Sequence, residues 1–181
     1  MKKLKISSLL LLSIQAFSQV IIGDATGTAA NKTSVLLEFA NSNDKGIILP
    51  YVRTLSAVEG SIVLDATDAT KARVKYYNGN TNPGTNGWVD LSGQDFNITT
   101  QLSAQPIITE DVAAKAIIGE IPSSADGVLV LESTTKAMVL PMVSDVNNIP
   151  TPSPGMMVYI NKTGAKRLAV YNGNKWSFWK P

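Results

Sequence analysis

The 181 residues include no cysteine and no histidine. Without cysteine there is no disulfide to staple the fold, no thiolate, and no acylated-cysteine anchor within these residues. Without histidine the commonest general base, the commonest metal ligand and the usual sensor of near-neutral pH are all missing. No apolar run approaches the ~20 residues that a spanning helix requires. An enzyme built from what remains would need paired carboxylates or a Ser-Lys pair. Glu110 and Asp111 are adjacent, so on a strand or helix their side chains point apart. Asp65-Ala66-Thr67-Asp68 offers two carboxylates, short of the six to eight oxygens that Ca²⁺ takes; it reads as a solvated hairpin loop. No glycine loop is built to cradle phosphate. The sequence therefore predicts a non-enzymatic chain with no catalytic residue, no metal ligand and no cofactor.

What is present begins with Lys2, Lys3 and Lys5, then an apolar stretch from Leu9 to Ile14, then Ala16-Phe17-Ser18. That order of charge, apolar run and small residues is a secretory signal peptide over residues 1–18. The expected location is secreted or at the outer cell surface. Taking three lysines from the 16 basic residues leaves 13 against 14 acidic ones. A near-neutral remainder gives no basis for nucleic acid or an anionic membrane as partner.

The rest falls into two copies of one pattern. Ile21-Ile22-Gly23-Asp24 is answered by Ile117-Ile118-Gly119-Glu120, and Leu36-Leu37-Glu38 by Val130-Leu131-Glu132. Lys45 to Pro50 is answered by Lys136 to Pro141, and Gly60 to Leu64 by Gly155 to Tyr159. Tyr77-Asn78-Gly79-Asn80 is answered by Tyr171-Asn172-Gly173-Asn174, and Trp88 by Trp176. The order is kept at offsets of roughly 88 to 96 residues, which marks a duplication rather than coincidence. The expected fold is all-β: two homologous modules of short strands and Asn-Gly hairpins, over 19–92 and 116–181. Residues 93–115 have no counterpart and read as a joining linker. Within it, Phe96 to Thr100 could be a strand and Thr109 to Lys115 a helical turn.

Alternation within the strands assigns faces. Val74 and Tyr76 share one side of 73–77, opposite Arg73, Lys75 and Tyr77. Leu168 and Val170 share one side of 167–171, opposite Arg167, Ala169 and Tyr171. Each reads as a half-buried strand with one apolar face. The Asn-Gly steps fit two-residue hairpin turns. Pro50 and Pro141 are expected to end strands and discourage edge pairing. Trp88, Trp176, Phe178 and Trp179 are the candidate contacts to a ligand or partner. Trp88 and Trp176 suit packing over the preceding strand. The crowding of Trp176, Phe178 and Trp179 suits an exposed apolar patch. The alternative to a structural or adhesive role is a carbohydrate-binding module that stacks sugars on these rings.

At Leu37-Glu38, Lys45 to Pro50, Gly155 to Tyr159 and Tyr171 to Trp176, the chain resembles repeat modules of exported surface proteins of Bacteroidota. It is also similar to shaft or collar modules of phage tail-fibre-like proteins. The resemblance spans both copies. It departs at the prolines: Tyr51-Val52-Arg53 follows Pro50, and Met142-Val143-Ser144 follows Pro141, where the pattern has a second proline and an arginine. The resemblance implies β-rich fibres, often trimeric, or surface adhesins. The expected partners are therefore further copies of the chain as a homotrimer, other surface proteins, or glycans. In such a trimer Ile62 and Leu64, or Met156 and Val158, are expected to face the axis.

Overall fold

Short β-branched and apolar runs, broken by Gly, Pro and Asn-rich turns, set the architecture. The computed structural model describes residues 19–56, 58–81, 86–106, 109, 111, 114–119 and 122–179. The expected signal peptide lies outside the described residues. The first half holds β1 (Val20–Ile22), β2 (Val35–Phe39), β3 (Ile47–Ile48), β4 (Tyr51–Val52), β5 (Ile62–Asp65), β6 (Arg73–Tyr77) and β7 (Trp88–Asp90). One short helix, α1 (Thr99–Ser103), follows. The second half holds β8 (Ala116–Gly119), β9 (Leu129–Glu132), β10 (Ala137–Met138), β11 (Met142–Val143), β12 (Met156–Ile160), β13 (Arg167–Tyr171) and β14 (Trp176–Trp179). The fold is all-β.

Two sheets share one topology. In the first the order is β4-β5-β6-β7, and in the second β11-β12-β13-β14. In each, the opening pair is parallel and the next two are antiparallel. The prolines act as pivots between sheets. Pro50 ends β3, which pairs with β12, and its carbonyl accepts from the Leu64 N–H at 2.9 Å as β4 begins. Pro141 does the same toward Tyr159, also at 2.9 Å. As expected, a strand ends ahead of each proline, β3 at Ile48 and β10 at Met138. Each proline ends one two-residue strand and starts another.

The halves are laced together. β10 pairs parallel with β2, beside β1, and β3 pairs antiparallel with β12. β8 and β9 form a separate parallel pair. The larger core gathers Leu49, Leu64, Val74, Leu91, Met157 and Val170 from both halves, together with Ile98 and Leu102 from the joining segment. A second core holds Val143, Ile149, Met156, Val158, Ile160 and Ala169.

Four expectations change. First, β13 is buried on both faces, because Leu168 and Val170 enter the larger core while Ala169 and Tyr171 enter the second. The second core supplies a cover that alternation within one strand cannot show. Second, residues 96–100 do not form a strand. Phe96 makes a single antiparallel bridge to Ala72, and α1 starts at Thr99. The Asn97 carboxamide oxygen accepts from the Thr99 N–H at 3.0 Å, while Ile98 and Leu102 are spaced to enter the core on one helical face. Third, the Asn-Gly steps do sit between antiparallel neighbours, but not as two-residue turns. β6 ends at Tyr77 and β7 begins at Trp88; β13 ends at Tyr171 and β14 begins at Trp176. Gly79 and Gly173 have positive φ, at 71° and 115°, but neither preceding asparagine does. Asn78 and Asn172 use their side chains as acceptors for the N–H of Asn80, and of Asn174 and Lys175. Fourth, Leu64, Met156 and Val158 are buried within the chain's own cores, so they do not present to a trimer axis.

The expected helical turn at 109–115 falls partly outside the described residues. What is described there includes an Ala114 N–H bonded to the Asp111 carbonyl at 2.9 Å.

Candidate partner-binding site at the C-terminal strand

β14 places three of the four candidate aromatics on one element. Trp176 turns inward against Tyr171, with ring centroids 5.2 Å apart and planes tilted by 45°. Trp88 makes the matching contact to Tyr77, at 5.2 Å and 52°. Both tryptophans are half-buried. Tilted aromatic pairs at this separation add ~0.5–1.5 kcal/mol beyond the area they bury. Trp88 and Trp176 therefore do packing work inside their own hairpins.

Phe178 and Trp179 differ. Each remains 45% exposed. The Arg167 guanidinium carbon lies 4.5 Å from the centre of the Phe178 ring, a cation–π contact across neighbouring strands. The Trp179 indole N–H donates to the Leu91 carbonyl at 2.7 Å, and the Ser177 hydroxyl donates to the Ser92 carbonyl. The Asn172 side-chain amide donates to the Gln94 carbonyl at 3.2 Å. The C-terminal strand is thus pinned to the end of β7 and the start of the joining segment. It offers two fixed apolar rings to solvent. Trp88 sits on β7, so the four candidates do not form one platform on a single strand.

The charged residues form pairs that the sequence did not reveal. Arg73 bridges Asp90 and Asp95, and Lys75 pairs with Asp65 at 2.6 Å. Burial pushes the Asp90 carboxyl up, but hydrogen bonds from Ser92, Gly93 and Arg73 outweigh it and hold the group below its ordinary range. Burial likewise raises Asp65, and Lys75 with Thr67 brings it below. The Asp65–Asp68 stretch read as a solvated loop is therefore split. Asp65 is buried at the end of β5, and Asp68 accepts from the Thr70 N–H and hydroxyl. Among the described residues no group of three or more acidic residues is placed to hold a metal.

Glu38 is the residue that sequence reasoning missed. Its side chain is fully buried on β2, yet it is charged. It accepts from the N–H groups of Thr28 and Ala29, both at 2.9 Å, and from the Lys32 ammonium and the Gln19 amide. Burial alone would raise this carboxyl; Lys32 and the two N–H groups overcome that and lower it. The loop between β1 and β2 is folded around one carboxylate. The available signal was Glu38 inside an apolar strand, where a charge needs partners. Its partners lie 6 to 19 residues upstream, just ahead of β1 and in the irregular loop after it, so spacing could not name them.

Residues 117–180 match a protein family described as a phage tail like trimerisation region. The match opens within β8 and runs through β14, just over a third of the chain. No curated protein and no solved structure matches the chain. Among the described residues no helix is long and apolar enough to cross a membrane.

Proposed function

We propose that the chain is a non-enzymatic structural component that self-associates as a trimer, in a fibre or at an outer cell surface after export. The observation that carries this reading is the match of residues 117–180 to a phage tail like trimerisation region. The exposed apolar residues Ile48, Val128, Leu129, Phe178 and Trp179 support it, since such side chains are what association would cover. The buried and half-buried carboxylates support it too. Glu38, Asp65 and Asp90 are each occupied by a cation and by backbone or hydroxyl donors, which is how structural acids are held. The shared strand order of the two larger sheets favours reading the chain as a duplicated module. Chemical cross-linking of the purified protein through its lysines tests the assembly. The expected outcome is a ladder that stops at three chains; only the single-chain band at saturating reagent would reject it.

A second reading draws on the exposure of Phe178 and Trp179: these rings stack on glycans or dock other surface proteins. Trp179→Ala should then abolish binding on a glycan array while leaving the far-ultraviolet circular dichroism unchanged. Equal binding by both proteins, or by neither, removes this reading.

A further inference from the structure

We infer that copies of the chain join head to tail through strand edges. The C-terminal half of one copy would pair with the N-terminal half of the next in the way that each N-terminal half pairs with its own C-terminal half. This deepens the trimer reading and rests on it. It starts from the two pairings that lace the halves together. β2 pairs with β10, placing Leu37 beside Met138, and β3 pairs with β12, placing Ile47 opposite Met157. Each strand has a counterpart by repeat position. β2 answers to β9, β3 to β10 and β5 to β12. In the single chain the counterpart pairings, β9 with β3 and β10 with β5, are not made.

Among the described residues no strand pairs with the edges that those pairings need, and these edges face the right way. In β3 the Leu49 N–H donates to the Gly155 carbonyl and Ile47 opposes Met157, so these two residues point at β12. Antiparallel alternation then turns the N–H groups of Gly46 and Ile48 outward. In β10 the reverse holds: Ala137 and Val139 donate to Ser34 and Leu37, which turns Met138 outward. β3 and β10 thus use opposite edges within the chain, and each leaves open the edge that the other uses. In β9 the Val128 carbonyl accepts from Ala116, so Leu129 and Leu131 face away from β8. In β5 the Leu64 N–H faces the chain entering β4, but β4 begins only opposite Leu64, leaving Ile62 ahead of it on that edge.

Three exposed apolar side chains lie along these edges: Ile48 at 54%, Val128 at 66% and Leu129 at 47%. The internal register shifts between Ala137 and Met138, and transferring the part past that shift gives the contacts. Ile47 of a second copy lies beside Leu131, with its Ile48 N–H donating to the Leu131 carbonyl. Ile62 of that copy lies opposite Met138. Unpaired strand edges template pairing with another chain, and here the complementary edge is on an identical one. Such a contact is heterologous, so it closes into a ring only at a fixed number of copies, three in the proposed trimer.

The absence of native cysteine makes the test clean. The Ile62→Cys and Met138→Cys variants are prepared separately, mixed and oxidised. Opposed residues in an antiparallel pair lie ~4.5–5.5 Å apart, within disulfide reach. The expected result is a covalent two-chain species in the mixture and none from either variant alone. The double variant should give a covalent three-chain band. Leu129→Lys changes an exposed residue, so it should lower the solution mass from three chains to one with unchanged circular dichroism. A three-chain mass with no cross-link, or a Leu129→Lys protein that stays trimeric, overturns the strand-edge interface and leaves the trimer reading standing. A single-chain mass for the unsubstituted protein overturns both.

Discussion

At the scale of single residues, the fold depends on a few polar side chains placed where alternation alone would put apolar ones. Glu38 is the clearest case. Glu38→Ala leaves two part-buried backbone N–H groups unpaired and removes the ion-pair partner of Lys32. The expected cost is about 2–3 kcal/mol, given ~1–3 kcal/mol for an orphaned buried group, to be read from urea unfolding. The pH dependence has a definite sign. The folded-state pKa of Glu38 lies below the ordinary 4.5. Its contribution is thus fully present above about pH 4.5 and is lost as pH falls through the lower folded value. The stability gap between the native protein and Glu38→Gln should therefore be flat from pH 5 to 8 and narrow in acid. A gap that widens in acid would contradict the account. Gly27 belongs to the same construction. It has φ of +63°, and an added Cβ would run into the Glu38 carboxylate. Gly27→Ala should destabilise the protein by at least ~1 kcal/mol, from backbone strain before the clash is counted, measured by the same unfolding curve.

At the scale of elements, the strands that could be read were those with enough residues to show a pattern. Val35–Phe39, Arg73–Tyr77 and Arg167–Tyr171 were all legible, because five residues suffice to display β-branching or alternation. β4 and β11 were not, because two residues after a proline carry no period. Their identity comes from a parallel pairing with strands many residues downstream. α1 was hidden for the same reason, since only Ile98 and Leu102 mark it. The site was partly legible: the four aromatics were found, but which of them remain exposed depends on partners such as Tyr77 and Tyr171 that only the fold supplies. The joining segment gives an element-scale prediction. Leu102→Ala should cost about 2–4 kcal/mol, the range for a buried leucine, because Leu102 is core material shared by both halves. Thermal melting would show it; a change within error would mean that 93–105 is only a tether.

At the scale of the whole molecule, the strand exchanges between halves make the chain one cooperative body. β3 contributes to a sheet built otherwise from the second half, and β10 to a sheet built otherwise from the first. One sheet of each half takes a strand from the other, and the larger core draws on both. The same arrangement leaves strand edges of one half that match those of the other, as the proposed self-association needs. The solution mass of the purified protein, measured by light scattering over a wide concentration range, tests the central claim most directly. The account predicts the mass of three chains, held on dilution. A single-chain mass at every concentration would contradict it.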